Sequence, residues 1–191
     1  MVLKKTKKKI YILLIVILII ALLIAFRVPE KVLKIIYPLK YDNYVETYSE
    51  KYNVDKYLIY AIIKAESNFD NHAVSSKEAK GLMQLMKSTA KDISKKLELN
   101  IQDDEIENRL LDPEFNINLG TKYISILLEK YNSVELALIA YNAGSGNVDT
   151  WLENGTLKSD GSNVEEVPYK ETNSYVRKIL RDYDIYKNLY N

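Results

Sequence analysis

The stretch 61–86, AIIKAESNFDNHAVSSKEAKGLMQLM, decides how this chain reads. Its first residues belong to a helix. Asp55 is a capping residue, and the pattern behind it runs helically to about Glu66. In that segment Leu58, Ile59, Ile62 and Ile63 form an apolar stripe, and Glu66 continues the stripe at spacings of four and three. Charges are rarely left inside a protein unpaired. Apolar walls disfavour the ionised carboxylate and raise its pKa, which is what a general acid working near neutral pH requires. The spacing alone leaves a second reading open: an ordinary, half-exposed acid at a helix end.

Working outward toward the C-terminus, 67–80 is a polar loop, and 81–86 leads into a helix around 88–97. Asp112-Pro113 joins a capping acid to a proline at the first helical position, and predicts a helix to about Tyr131. Ser133 caps another that ends at Gly144. Residues 146–152 form a short helix or turn, 153–166 a polar loop, and Pro168 precedes a last helix through about Tyr190. On the other side, 41–51 is one helix. No alternating strand run, βαβ rhythm or internal repeat appears. The expectation is an all-α domain over 41–191.

The N-terminus is of another kind. Residues 10–26, IYILLIVILIIALLIAF, carry no charge over 17 positions. A helix of that length spans roughly 25 Å, slightly short of a hydrocarbon core, and Lys9 and Arg27 flank it as snorkelling cations. The basic tail 1–9 holds Lys4, Lys5, Lys7, Lys8 and Lys9, so the positive-inside tendency puts it in the cytoplasm and the domain outside. A cleaved signal peptide is the competing reading. It is disfavoured because Ala21 and Ala25 are four apart, with bulky residues between them, rather than in a small-x-small site. Residues 27–40 read as a connector with Pro29 and Pro38, in which 32–37, VLKIIY, lies along the membrane surface.

Composition narrows the function. The chain has 191 residues, enough for one buried core beside the anchor. The formal net charge is +1. Five of the 27 basic residues lie in the lysine tail, leaving 22 against 26 acids, so the body carries a net of −4. That argues against nucleic-acid binding, which needs a basic face. With no cysteine, thiolate catalysis and cysteine-based metal sites are excluded. The single histidine, His72, sits in the polar loop and reads as exposed rather than as a ligand. Trp151 reads equally as cleft lining or core.

Four motifs carry a resemblance to a known family. The stretch 61–86 resembles the SLT-type lytic transglycosylase family, as do LGTKYISILLEKYN (119–132), ALIAYNAGSGNV (137–148) and PYKETNSYVRKIL (168–180). The likeness extends from about Tyr41 to Tyr190. It implies a lysozyme-like, mainly α-helical fold and peptidoglycan glycan strands as substrate. The implied reaction cleaves the β-1,4 bond between N-acetylmuramic acid and N-acetylglucosamine without water, leaving a 1,6-anhydro end. It also implies that Glu66 is the catalytic acid and then base, with no second carboxylate; with no cysteine, one histidine and no clustered acidic ligand motif, no metal or other cofactor is expected. Ser75, Met83, Gln84, Tyr141, Asn142 and Glu171 fall at the family's substrate-binding positions, whereas Tyr175 reads as packing. Two alternatives stand beside this: a lysozyme-type hydrolase on the same fold, and a non-catalytic peptidoglycan-binding module. Three departures touch detail. Glu78 stands where glycine is common, Lys87 where proline usually follows the GLMQ motif, and Asn173 where arginine is common.

Overall fold

A computed structural model describes residues 2–25 and 28–191. Two units divide at Pro38 and Leu39. In the N-terminal unit, α1 runs Val2–Ala25 and α2 runs Val28–Ile36. Every large apolar side chain from Ile10 to Ile24 is exposed, an arrangement that water does not tolerate without a covering partner or lipid. Among the described residues no single helix is both long and apolar enough to cross a membrane. Lys9–Ile24 and Pro29–Ile36 meet that requirement only together, as a bent pair. Phe26 and Arg27, at the end of the predicted span, and the side chains of Lys4, Lys5, Lys7 and Lys8 lie outside the described residues.

The segment expected as a connector is helical for nine residues. Pro29 falls in the first turn, where its missing N–H costs nothing. Glu30 and Lys34 pair at 2.8 Å one turn apart.

The second unit, Leu39–Tyr190, is built from eight further α-helices among the described residues. These are α3 (Asp42–Tyr52), α4 (Lys56–Glu66), α5 (Lys87–Lys96), α6 (Ile106–Arg109), α7 (Pro113–Tyr131), α8 (Val134–Ala143), α9 (Ser145–Glu153) and α10 (Lys170–Tyr190). A single 3₁₀ turn lies at Val164–Glu166. The predicted caps form. Asp55 accepts from the Tyr57 N–H at 2.8 Å, Asp112 from the Phe115 N–H at 2.8 Å and Ser133 from the Leu136 N–H at 3.2 Å. Each satisfies an orphan donor of the first turn.

Three packings position the site. α7 lies against α8 and α3, and α10 lies along α4. The α4–α10 seam stacks Tyr60 on Tyr186 at 5.5 Å between ring centres. A second cluster, with Leu85, Ile93, Leu110, Phe115 and Leu119, seats α5 and α6 on α7. Glu66 therefore ends a helix whose body, Tyr57 to Ile63, is wholly buried.

Candidate active site

Glu66 is the last residue of α4, and the chain turns sharply after it. Ser67 holds the turn, its hydroxyl donating to the Ile63 and Leu82 carbonyls at 3.2 and 2.9 Å. Oε1 of Glu66 accepts a 2.6 Å hydrogen bond from the Tyr175 hydroxyl. Oε2 makes no hydrogen bond to a described residue. Burial pushes the carboxyl from its ordinary value near 4.5 to about 7, against the Tyr175 bond and the Lys178 charge, which pull it down. Lys178 is fixed beside it by donating to the Ala65 carbonyl at 3.1 Å.

Tyr141 closes another wall. Its hydroxyl donates to the Met83 carbonyl at 2.7 Å, and its ring lies 5.1 Å from that of Tyr123. Burial, with the neighbouring Glu66 charge second, holds both the Tyr141 and Tyr175 phenols well above their usual range. Both stay protonated and act as donors.

The loop between Glu66 and α5 is held by buried Asn116 of α7. Its Nδ2 donates to the Lys80 and Leu110 carbonyls at 2.9 and 2.8 Å, and its Oδ1 accepts from the Met83 N–H at 2.8 Å. Gly81 lies on this clamp at φ +76, where a Cβ would strike the Leu110 carbonyl and the Asn116 amide. Gln84, at φ +46, donates from Nε2 to the Ala73 and Gly81 carbonyls at 3.0 and 2.9 Å. Ser75 forms the neighbouring turn, its Oγ accepting the Ala79 and Lys77 N–H groups at 3.0 and 3.3 Å. Met83 is fully buried, its sulfur seated on Gly120.

Glu66, Tyr141 and the Met83 backbone thus meet in one group, with Tyr175 added. Gln84 and Ser75 brace the loop behind it, their side chains bonding to backbone within it. Asn142 and Glu171 line a separate pocket of about 380 Å³ with Thr172, whose hydroxyl donates to Asn142 Oδ1 at 2.7 Å. Trp151 is buried, edge-on to Tyr169, so it belongs to the core. Two residues escaped the sequence reading. Tyr175 is bonded to the acid rather than merely packed, and Asn116 is an amide hidden inside a helix that reads as ordinary. Among the described residues no group of three or more His, Cys, Asp or Glu side chains is arranged to hold a metal.

Comparison with known proteins identifies the family. Residues 43–162 match the family described as the transglycosylase SLT domain. The chain is 40% identical over 128 residues to the soluble lytic murein transglycosylase of Salmonella typhimurium, covering 66% of this chain and 19% of that protein. It is 42% identical over 109 residues to the membrane-bound lytic murein transglycosylase C of Edwardsiella ictaluri, covering 52% of this chain and 30% of that protein. The fold superposes with TM-score 0.72 and 33% identity on an inactive glutamate-to-glutamine mutant of the lytic transglycosylase Slt from Pseudomonas aeruginosa, covering 82% of this chain and 25% of that one. This chain therefore spans about a fifth to a third of the length of these relatives. The expected lysozyme-like, mainly helical fold is borne out, and with the match taking in well over half of its residues, the chain belongs to the transglycosylase SLT domain family.

Proposed function

We propose that this protein is a membrane-anchored peptidoglycan lytic transglycosylase with Glu66 as its single general acid and base. The observation that carries the reading is the half-buried Glu66 carboxyl, with a pKa of about 7 and Oε1 fixed by Tyr175. A group poised there is part protonated at neutral pH, so it gives and takes a proton with little bias.

The reaction follows from that poise. The proton on Oε2 passes to the glycosidic oxygen, the bond from that oxygen to the muramic anomeric carbon breaks, and the N-acetylglucosamine end leaves as an alcohol. The muramic 6-hydroxyl oxygen then bonds to the anomeric carbon, and its proton returns to Glu66. No water is consumed and no second carboxylate is needed. Tyr175 stabilises the carboxylate in the interval, when it carries charge. The inactive glutamate-to-glutamine mutant of the Pseudomonas relative supports giving a glutamate this role here.

The exposed apolar stretch 10–24 of α1, with lysines before it in the same helix, supports an anchor, and the membrane-bound relative is consistent with that. The test of the chemistry is mass spectrometry of glycan fragments from peptidoglycan digested with the protein. Fragments ending in 1,6-anhydromuramic acid support the reading. Reducing ends, heavier by one water, point to a hydrolase on the same fold.

A further inference from the structure

Pocket and acid are joined along α10. Glu171 and Thr172 lie four and three residues before Tyr175, hence on the same side of the helix and about 6 Å along it from the residue that holds Glu66. From the other side, Asn142 follows Tyr141 in sequence and is tied to Thr172 at 2.7 Å. The pocket of about 380 Å³ therefore lies one helical turn from the chemistry. That separation puts it within reach of a substituent on a sugar held at Glu66.

Its rim has a definite character. Tyr169 is 49% exposed, with its ring braced edge-on against buried Trp151 at 5.2 Å. Lys77, from the Ser75 turn, and Lys170, from the first turn of α10, stand on opposite elements of the same pocket. Neither lysine makes an ion pair with a described residue. Lys80, Lys87, Lys91 and Lys130 of the same domain all do. Glu171 is the pocket's one acid, so its lining carries two cations against one anion. The positive end of the α10 dipole adds to them.

We infer that this pocket is a carboxylate-recognition subsite, in which Lys77 and Lys170 bind an acid group carried on the muramic side of the strand while Tyr169 and Asn142 hold the group that bears it. The inference rests on the peptidoglycan reading above. Two sources share the chemistry: a carboxylate of the peptide stem, and the lactyl carboxylate exposed when the stem is absent. Lys77 and Lys170 are determinants of substrate choice and have no part in the proton transfer.

The test measures binding by the full chain in detergent, in a Glu66→Gln background so that strands stay intact. Three probes are compared: strands with peptide stems, strands stripped by an amidase, and stripped strands whose lactyl carboxyl is capped as a neutral methylamide. Tighter binding of the first probe than of the second identifies the stem carboxylate, and the reverse order identifies the lactyl group. In either case the capped strand binds about fivefold more weakly than the better charged probe, as expected for two partly exposed ion pairs. Lys77→Gln combined with Lys170→Gln removes that preference, Lys77→Arg with Lys170→Arg retains it, and raised salt weakens it. Both lysines are exposed, so the variants fold. Equal binding of all three probes, or a preference untouched by the double glutamine variant, overturns the inference while leaving the transglycosylase reading intact. Failure to bind any strand overturns both.

Discussion

The Tyr175 hydroxyl sits 2.6 Å from Oε1 of Glu66, joining residues 109 positions apart in sequence at the only hydrogen bond that the carboxyl makes to the described residues. The bond favours the charged form, so it opposes the burial that raises the acid's pKa. Tyr175 is a positioning residue on this account: it fixes one oxygen and leaves the other for the substrate.

Tyr175→Phe removes the bond and keeps the ring. The carboxyl, relieved of one of the two influences lowering its pKa, titrates at higher pH. Because the acid must be protonated to start the reaction, kcat/KM falls as pH rises through that pKa, and the falling limb moves upward in the variant. The rate itself drops by about 10- to 100-fold, the worth of a hydrogen bond to a charged group. A pH–rate profile that keeps its limb in place would remove Tyr175 from the account.

The same carboxyl leaves a mark on stability. Glu66 holds its proton more tightly in the folded state, at about 7, than at its ordinary value near 4.5. Its contribution is full below about pH 4.5 and is lost as pH rises to about 7. Glu66→Gln does not titrate, so its stability relative to the parent rises across that window, by on the order of 2 kcal/mol for a half-buried group. Urea unfolding at pH 4 and pH 8 measures the difference, and equal gaps at the two pH values would contradict it.

Much of this arrangement was legible because its cause is local. Asp55, Asp112-Pro113 and Ser133 announce their helices within four residues, and the stripe through Ile59, Ile62 and Ile63 points to Glu66. What escaped reading depends on distance. Nothing near Tyr175 says that its hydroxyl meets an acid from α4. Asn116 looks like any polar residue of α7 until the 80–83 backbone folds over it. Met83 falls at a substrate-binding position by resemblance, but Gly120 leaves a hollow on α7 that draws its side chain inward. The four-residue α6 is too short to show a period of its own, and Ile106 reveals it only by packing on Phe115 and Leu110.

Glu78 occupies φ +64, a left-handed conformation that costs an L-residue roughly 1 kcal/mol and glycine little. Glycine, the residue that the family resemblance leads one to expect there, avoids this cost. Glu78→Gly gains about 0.5 kcal/mol, the relief of strain being partly offset by a more flexible unfolded chain. Activity is unchanged. Thermal unfolding checks this, and a lowered midpoint would show that the strain is absent.

Gly81→Ala acts in the opposite direction. The new methyl meets the Leu110 carbonyl and the Asn116 amide, at a positive φ that alanine resists. Destabilisation of about 2–4 kcal/mol is expected, because the clamp is backbone and a buried amide that have no room to shift. Denaturant unfolding of the purified variant gives the figure. A loss below about 0.5 kcal/mol would mean that the loop is held in some other way.

The most direct test of the central claim is the rate at which Glu66→Gln releases 1,6-anhydromuramic ends from purified peptidoglycan, read by mass spectrometry beside the parent. Glutamine keeps the size of the side chain and can still accept from Tyr175, but it has no proton to give the glycosidic oxygen and cannot take one from the 6-hydroxyl. Loss of general acid–base work costs about 10²–10⁴-fold, and the account predicts the upper end of that range in a protein that is folded and still binds strands. A folded Glu66→Gln protein releasing those ends at close to the parental rate would contradict it.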